Sequence, residues 1–165
     1  MNNLWKDLDL IQGDNNNPVD LVEEQSVFLR EGTEDLFYLD VEAIGRLSSL
    51  STQALKEANV RRDFAYKVLL SSDELPEYSF HVFNIYYGIT FFPLVMKLSN
   101  EIGDEIVVAD SSIECLSSKG NSRMYFKIKS EEEFTTILEI IFNCEKVRTV
   151  LKNMKTIIGD DEKEE

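Results

Sequence analysis

Hydrophobic positions recur along this chain with two different periods, and the switches between them divide it into elements. The first helical pattern runs over residues 18–31. Leu21, Val22, Phe28 and Leu29 share a face with Gln25 in the same row, Asn17 stands where a side-chain oxygen can cap the first turn, and Pro18 occupies the first position, where its missing N–H costs nothing. Gly32 sits where a left-handed stop is expected.

Leu36 to Ala43 is rich in β-formers and predicts a first strand. Residues 46–62 carry both signals. Leu47, Leu50, Ala54, Leu55 and Ala58 follow a helical period while the serines favour a loop, so the segment is read as a loop containing a short helix. From Asp63 the period becomes two, with Phe64, Tyr66, Val68 and Leu70 alternating with Ala65, Lys67, Leu69 and Ser71. After the turn Ser71–Pro76 come the aromatic run Tyr78–Tyr87, a reversal near Gly88, and a strand over Phe91–Leu98. Pro93 cannot donate to a ladder and assigns that strand an edge position or a bulge. Ile106–Ala109 and Met124–Ile128 complete the predicted strands, the last preceded by the turn Ser117–Asn121. Short connections make the sheet largely antiparallel.

Ser130 and Glu133 form a capping box ahead of the stripe Phe134, Ile137, Leu138, Ile141 and Phe142. A second stripe follows in Val147, Val150, Leu151, Met154 and Ile157 or Ile158. The fold class predicted is α+β: a single mostly antiparallel sheet of about four to six strands, packed by an N-terminal helix and a C-terminal helical pair. One such domain spans residues 18–158 around a single core. It is preceded by an amphipathic segment and polar linker (1–17, with Leu4, Trp5, Leu8 and Ile11) and followed by an acidic tail (159–165) expected to be disordered. No internal repeat is present.

Charge narrows the functions. The 165 residues carry a formal net charge of -14. The excess lies at the ends: 4 Lys/Arg against 12 Asp/Glu in residues 1–60, 8 against 9 in 61–130, and 5 against 10 in 131–165. Phosphate-backbone binding needs clustered cations, so direct nucleic-acid binding and docking on an anionic membrane are disfavoured. No apolar run reaches the roughly 18–20 residues of a spanning helix. Met1–Lys6 lacks the regions of a signal peptide, and Cys115 and Cys144 are expected to be reduced, buried thiols, so a cytoplasmic protein is expected.

The chemistry-bearing residues are few. The one histidine, His81, lies in the aromatic strand, on the face of Phe83, Ile85 and Tyr87 or on the solvent side, and is read as structural before catalytic. Asp7–Gly13 begins like a calcium loop but puts isoleucine at its fifth position and glycine at its seventh. A carboxylate two residues before a lysine, in the manner of metal-dependent nucleases, is assigned only to Asp161–Lys163, and Gly45–Ser49 lacks the second glycine of a nucleophile elbow. No catalytic residue, cofactor or metal ligand is assigned.

The aromatic belt Phe80, Phe83, Tyr86, Tyr87, Phe91 and Phe92 is expected to fill the core, with any outward excess forming an interface. The expected function is a non-catalytic acidic protein-interaction module, of inhibitor or immunity type, for a basic partner such as a nucleic-acid-processing protein. Its partner-binding residues would be Trp5, Leu8, Tyr86, Tyr87, Asp160, Asp161 and Glu162. The alternative is a small-molecule-binding or enzymatic domain with a pocket between sheet and helices, using His81, Tyr86, Tyr87 and Arg123. A third reading is assembly through an edge strand, against which Pro93 and the charged turns argue.

Overall fold

A computed structural model describes residues 2–5, 16–116 and 123–163, the last three as backbone only. One six-stranded sheet organises the chain: β1 (Tyr38–Ala43), β2 (Phe64–Ser71), β3 (Ser79–Tyr87), β4 (Leu94–Ser99), β5 (Glu114–Leu116) and β6 (Arg123–Ile128). Its order is β1-β2-β3-β4-β6-β5, antiparallel at every pairing. Five helices surround it: α1 (Pro18–Gly32), α2 (Ser49–Ala58), α3 (Asn100–Ala109), α4 (Glu131–Phe142) and α5 (Glu145–Lys163). The α+β reading, with one antiparallel sheet, an N-terminal helix and a C-terminal helical pair, is the architecture found.

The helices begin as their side chains dictate. Asn17 Oδ1 accepts from the Val19 N–H, and the Oγ atoms of Ser48, Ser99 and Ser130 accept from the N–H groups of Ser51, Ile102 and Glu133. Glu133 Oε1 in turn accepts from the Lys129 N–H at 3.4 Å, one residue ahead of the usual capping-box donor. The left-handed residues that turn the chain after α1 are Glu34 and Asp35 (φ 53° and 64°). Gly32 is still helical, which moves the expected stop two residues on.

Burial divides between two faces. On the first face, Val22 of α1, Phe134, Ile137 and Ile141 of α4, Val147, Met154 and Ile158 of α5 and Ile102 and Ile106 of α3 pack against Val68, Phe83, Ile85, Met96, Leu98 and Phe126 of the sheet. Each such side chain removed from water contributes roughly 1.5–3 kcal/mol. On the opposite face, α2 lays Ala54, Leu55 and Ala58 over Tyr86, Val95 and Tyr125. The sheet is therefore covered on both sides and has two apolar clusters, where the hydrophobic pattern predicted one.

The structure corrects several boundaries. Ile106–Ala109 is not a strand but the end of α3: Ile102 and Ile106 are buried one turn apart, while Val107 and Val108 are exposed. Gly103 lets that helix lie directly on β6, where an added Cβ would come within 3.1 Å of Met124 Cβ and Cγ. Residues 49–58 are helical, since Asn59 accepts a left-handed backbone and closes the last turn on Leu55 and Lys56. Pro93 lies outside the ladder. β4 starts at Leu94 and is an interior strand between β3 and β6, not an edge. The true edges are β1 and the short β5. At the β1 edge, Ser26 of α1 supplies both missing partners of one residue: its Oγ donates to the Leu39 carbonyl (3.1 Å) and accepts from the Leu39 N–H (2.9 Å). α5 continues through Gly159 to Lys163, into the stretch read as an acidic tail.

Candidate functional site

A one-residue register shift sets the chemistry of the second sheet face. Val68 pairs with Phe83, but Leu69 pairs with His81, so Val82 is an extra residue in β3. Beyond the bulge the alternation inverts. Val82 joins Phe83 in the first-face core, and His81 turns to the face of Asn84 and Tyr86, not that of Phe83, Ile85 and Tyr87. Strict alternation misses this, because a bulge leaves no signature in a run of aromatic and β-branched residues.

The inversion completes a connected polar cluster. His81 Nε2 lies 2.5 Å from Asn84 Oδ1; an amide oxygen only accepts, so Nε2 carries the proton. Asn84 Nδ2 donates to Tyr86 Oη at 3.0 Å, and Ser51 Oγ of α2 stands 3.5 Å from Tyr86 Oη and 3.0 Å from Tyr125 Oη. Lys97 Nζ donates to Ser51 Oγ at 3.5 Å and lies 5.9 Å from the centre of the Tyr125 ring. Burial holds His81 below its ordinary protonation range. The Asn84 bond opposes this, and the positive charges of Arg123, Lys97 and Lys67 reinforce it.

A second feature lies between α1, the sheet and the α4–α5 corner. A cavity of about 240 Å³ is lined by Phe28, Leu29, Leu39, Leu70, Val82, Phe142, Val147 and Leu151, with Gln25, Asn143 and Arg148 at its polar rim. Arg148 Nη2 donates to Asn143 Oδ1 at 2.5 Å, which ties together two of the polar lining residues. This is the place the sequence named for a pocket, but its walls are aliphatic and phenyl groups. None of the four expected contributors, His81, Tyr86, Tyr87 and Arg123, lines it.

The third feature is the outer surface of α3. Val108 is 88% exposed and Val107 42%, and around them on the same helix stand Glu101, Asp104 and Glu105, with Asp110 at its cap. Ion pairing neutralises little of the acidic surface. Among the described residues the four salt bridges engage Arg61–Asp63, Lys67–Glu42, Lys129–Glu114 and Lys146–Glu101.

The residues expected to bind a partner differ in their exposure. Trp5 is 74% exposed, and Leu8 lies outside the described residues. Tyr86 and Tyr87 are buried on opposite faces, Tyr86 under α2 and Tyr87 against Phe64, Tyr66 and Phe91 with its hydroxyl donated to Asn17 Oδ1 at 2.6 Å. Neither presents its ring to a partner, and the belt fills the two cores. Asp160 is exposed near the end of α5, and Asp161 and Glu162 continue that helix. Arg123 lies on β6 at the edge of the polar cluster, engaged in an interaction of its own.

Cys144 is buried as expected, but Cys115 is exposed, because β5 lies at the sheet edge. Both thiols are held above the ordinary range, first by partial desolvation and then by Asp104 beside Cys115 and Glu105 beside Cys144. Among the described residues no three His, Cys, Asp or Glu side chains gather as a metal site, and no helix is long and apolar enough to cross a membrane. No protein-family model, curated protein or solved structure matches the chain.

Proposed function

We propose that this chain is a non-catalytic protein-interaction module that docks a basic partner through the outer face of α3. The observation that carries the reading is the exposed pair Val107–Val108 with an acidic rim of Asp104, Glu105 and Asp110, Glu101 of the same helix being paired to Lys146. An apolar centre ringed by one sign of charge is how interfaces combine desolvation with steering. The centre supplies affinity, and the rim speeds encounter with an opposite field and rejects partners of like charge. The net charge of -14 extends that field over the molecule. An inhibitor or immunity role against a basic, nucleic-acid-processing protein follows the same logic, and cytoplasmic residence remains part of the proposal.

The test is affinity capture with the full chain, with V107S/V108S, and with a truncation lacking residues 160–165. Any captured protein is purified and its complex measured by sedimentation at low and moderate salt. A stoichiometric basic partner that weakens with salt and at least tenfold in V107S/V108S supports the reading. A complex indifferent to both sinks it, and dependence on the truncation alone moves the site to the end of α5.

The cavity between α1 and the α4–α5 corner favours a second reading, an apolar ligand with an anionic or polar end held at Arg148. Saturable uptake of a medium-chain fatty acid, abolished by Leu29→Gln, supports that alternative; no uptake removes it.

A further inference from the structure

The exposed half of the second sheet face carries an arrangement that an interaction surface for basic partners does not explain. One row of side chains crosses five strands in register: Glu42, Lys67, Asn84, Lys97 and Tyr125 are successive partners from β1 to β6. Neighbouring strands lie about 4.8 Å apart, so Lys67 and Lys97 flank Asn84 from roughly 10 Å apart at the backbone. Each ammonium stem is long enough to reach a group seated above Asn84. His81 lies beside that position, bonded to Asn84 and within the field of the Arg123, Lys97 and Lys67 charges.

Lys97 has an uncommon environment. It is half-buried in a chain of 31 carboxylates, yet among the described residues no carboxylate lies within salt-bridge distance of it. Its contacts are neutral: the Ser51 hydroxyl at 3.5 Å and the face of Tyr125. Partly desolvated ammonium groups are ordinarily paired, since withdrawal from water costs more than a neutral hydroxyl returns. An acidic protein that gathers cations on one face and leaves its most central lysine without a carboxylate partner among the described residues has a place for an anion from outside.

We infer that this face, centred on Lys97, Asn84 and His81, is a binding site for a small oxyanion of the phosphate class. Three features match such a ligand. Lys97 and Lys67 supply charge from two sides, the second Asn84 amide proton supplies a neutral donor, and His81 with Nε2 committed to Asn84 has Nδ1 left to gain a proton beside an anion. Lys67 reaches the site by leaving Glu42, an exposed pair 3.1 Å apart whose exchange costs little.

The single histidine makes the test direct, because its ring protons are the only imidazole signals of the chain. Inorganic phosphate is titrated into the full-length protein at constant ionic strength, with chloride as the matched control, while the His81 Hε1 and Hδ2 resonances are followed. A saturable shift with phosphate, absent with chloride, is expected, and bound phosphate should raise the pH at which His81 titrates. Lys97→Met should weaken binding about tenfold or more, as expected for loss of a charged hydrogen-bond donor, Lys97→Arg should retain it, and Lys152→Met on the exposed side of α5 should leave it unchanged. Dispersed spectra certify that each variant is folded. Resonances that do not move with phosphate, that move equally with chloride, or that move equally in Lys97→Met overturn the inference.

Discussion

Replacing Gly103 with alanine tests whether the contact between α3 and β6 sets the position of the proposed interface. Two effects of known sign compete. In a helix interior, alanine is favoured over glycine by about 1 kcal/mol. Against that, the new Cβ would sit 3.1 Å from Met124 Cβ and Cγ and closer still to its Sδ. The Sδ can swing aside, but Cβ is fixed to the β6 backbone, so α3 must lift. Overpacking of this kind costs roughly 1–3 kcal/mol, and contact with a fixed atom places it in the upper part of that range. The expected net loss is about 1–2 kcal/mol, a fall in Tm of several degrees for a domain of this size.

Urea unfolding followed by circular dichroism reads the difference, and two further variants isolate its cause. In Gly103→Ala/Met124→Gly the crowding atoms, the fixed Cβ included, are gone, so the loss from Gly103→Ala should vanish or reverse in that background, giving a coupling of about 1 kcal/mol or more. Gly159 in α5 has nothing within 4 Å of an added Cβ, so Gly159→Ala should stabilise by a few tenths to about 1 kcal/mol. A Gly103→Ala protein as stable as the parent, or a loss unchanged by Met124→Gly, refutes the claim that this glycine seats α3.

Other outcomes follow from single contacts. Ser26→Ala strips the buried Leu39 N–H and carbonyl of their partner and should destabilise by about 2–3 kcal/mol, with faster amide exchange at Leu39, whereas Ser26→Thr should recover part of the loss. His81 is held below its ordinary value near 6.5, so the unfolded chain takes up a proton that the folded chain resists. Its contribution should be constant above about pH 6.5 and destabilising as pH falls through that value, and His81→Gln should flatten this part of the stability profile in urea titrations at stepped pH. Exposed Cys115 should react with a thiol reagent in the native protein, slowly for a thiol held above its usual range, while Cys144 should be protected until unfolding. Equal rates for the two thiols would contradict their burial.

Local rules made much of the fold legible. Caps at Asn17 and Ser130, the stripes of α1, α4 and α5, and the two-residue period of β2 and β3 each depend on neighbours within a turn or on the next strand. What the pattern hid was tertiary. Ile106–Ala109 has the composition of a strand, and only the burial of Ile102 and Ile106 one turn apart, with Gly103 on Met124, identifies a helix. Pro93 carried the right local restriction but the wrong place, because the ladder begins one residue later. The candidate sites were harder still. A bulge at Val82 decides which face His81 occupies, the lack of a carboxylate beside Lys97 among the described residues depends on four other strands, and the exposure of Val107 and Val108 depends on α3 being a helix. Tyr86 and Tyr87 are adjacent in the chain and lie in different cores, a separation that alternation does imply once the sheet is known to be covered on both sides.

The Ser26 contact at β1 has a consequence for assembly. With the outward peptide groups of Leu39 already occupied from within the chain, a strand added at β1 would have to skip that position, so the two margins of the sheet are unequal. In the language of polymer chemistry the molecule is a monomer with one hindered end. Two copies joined at β5 would present only hindered margins, which disfavours growth beyond a pair into a fibre.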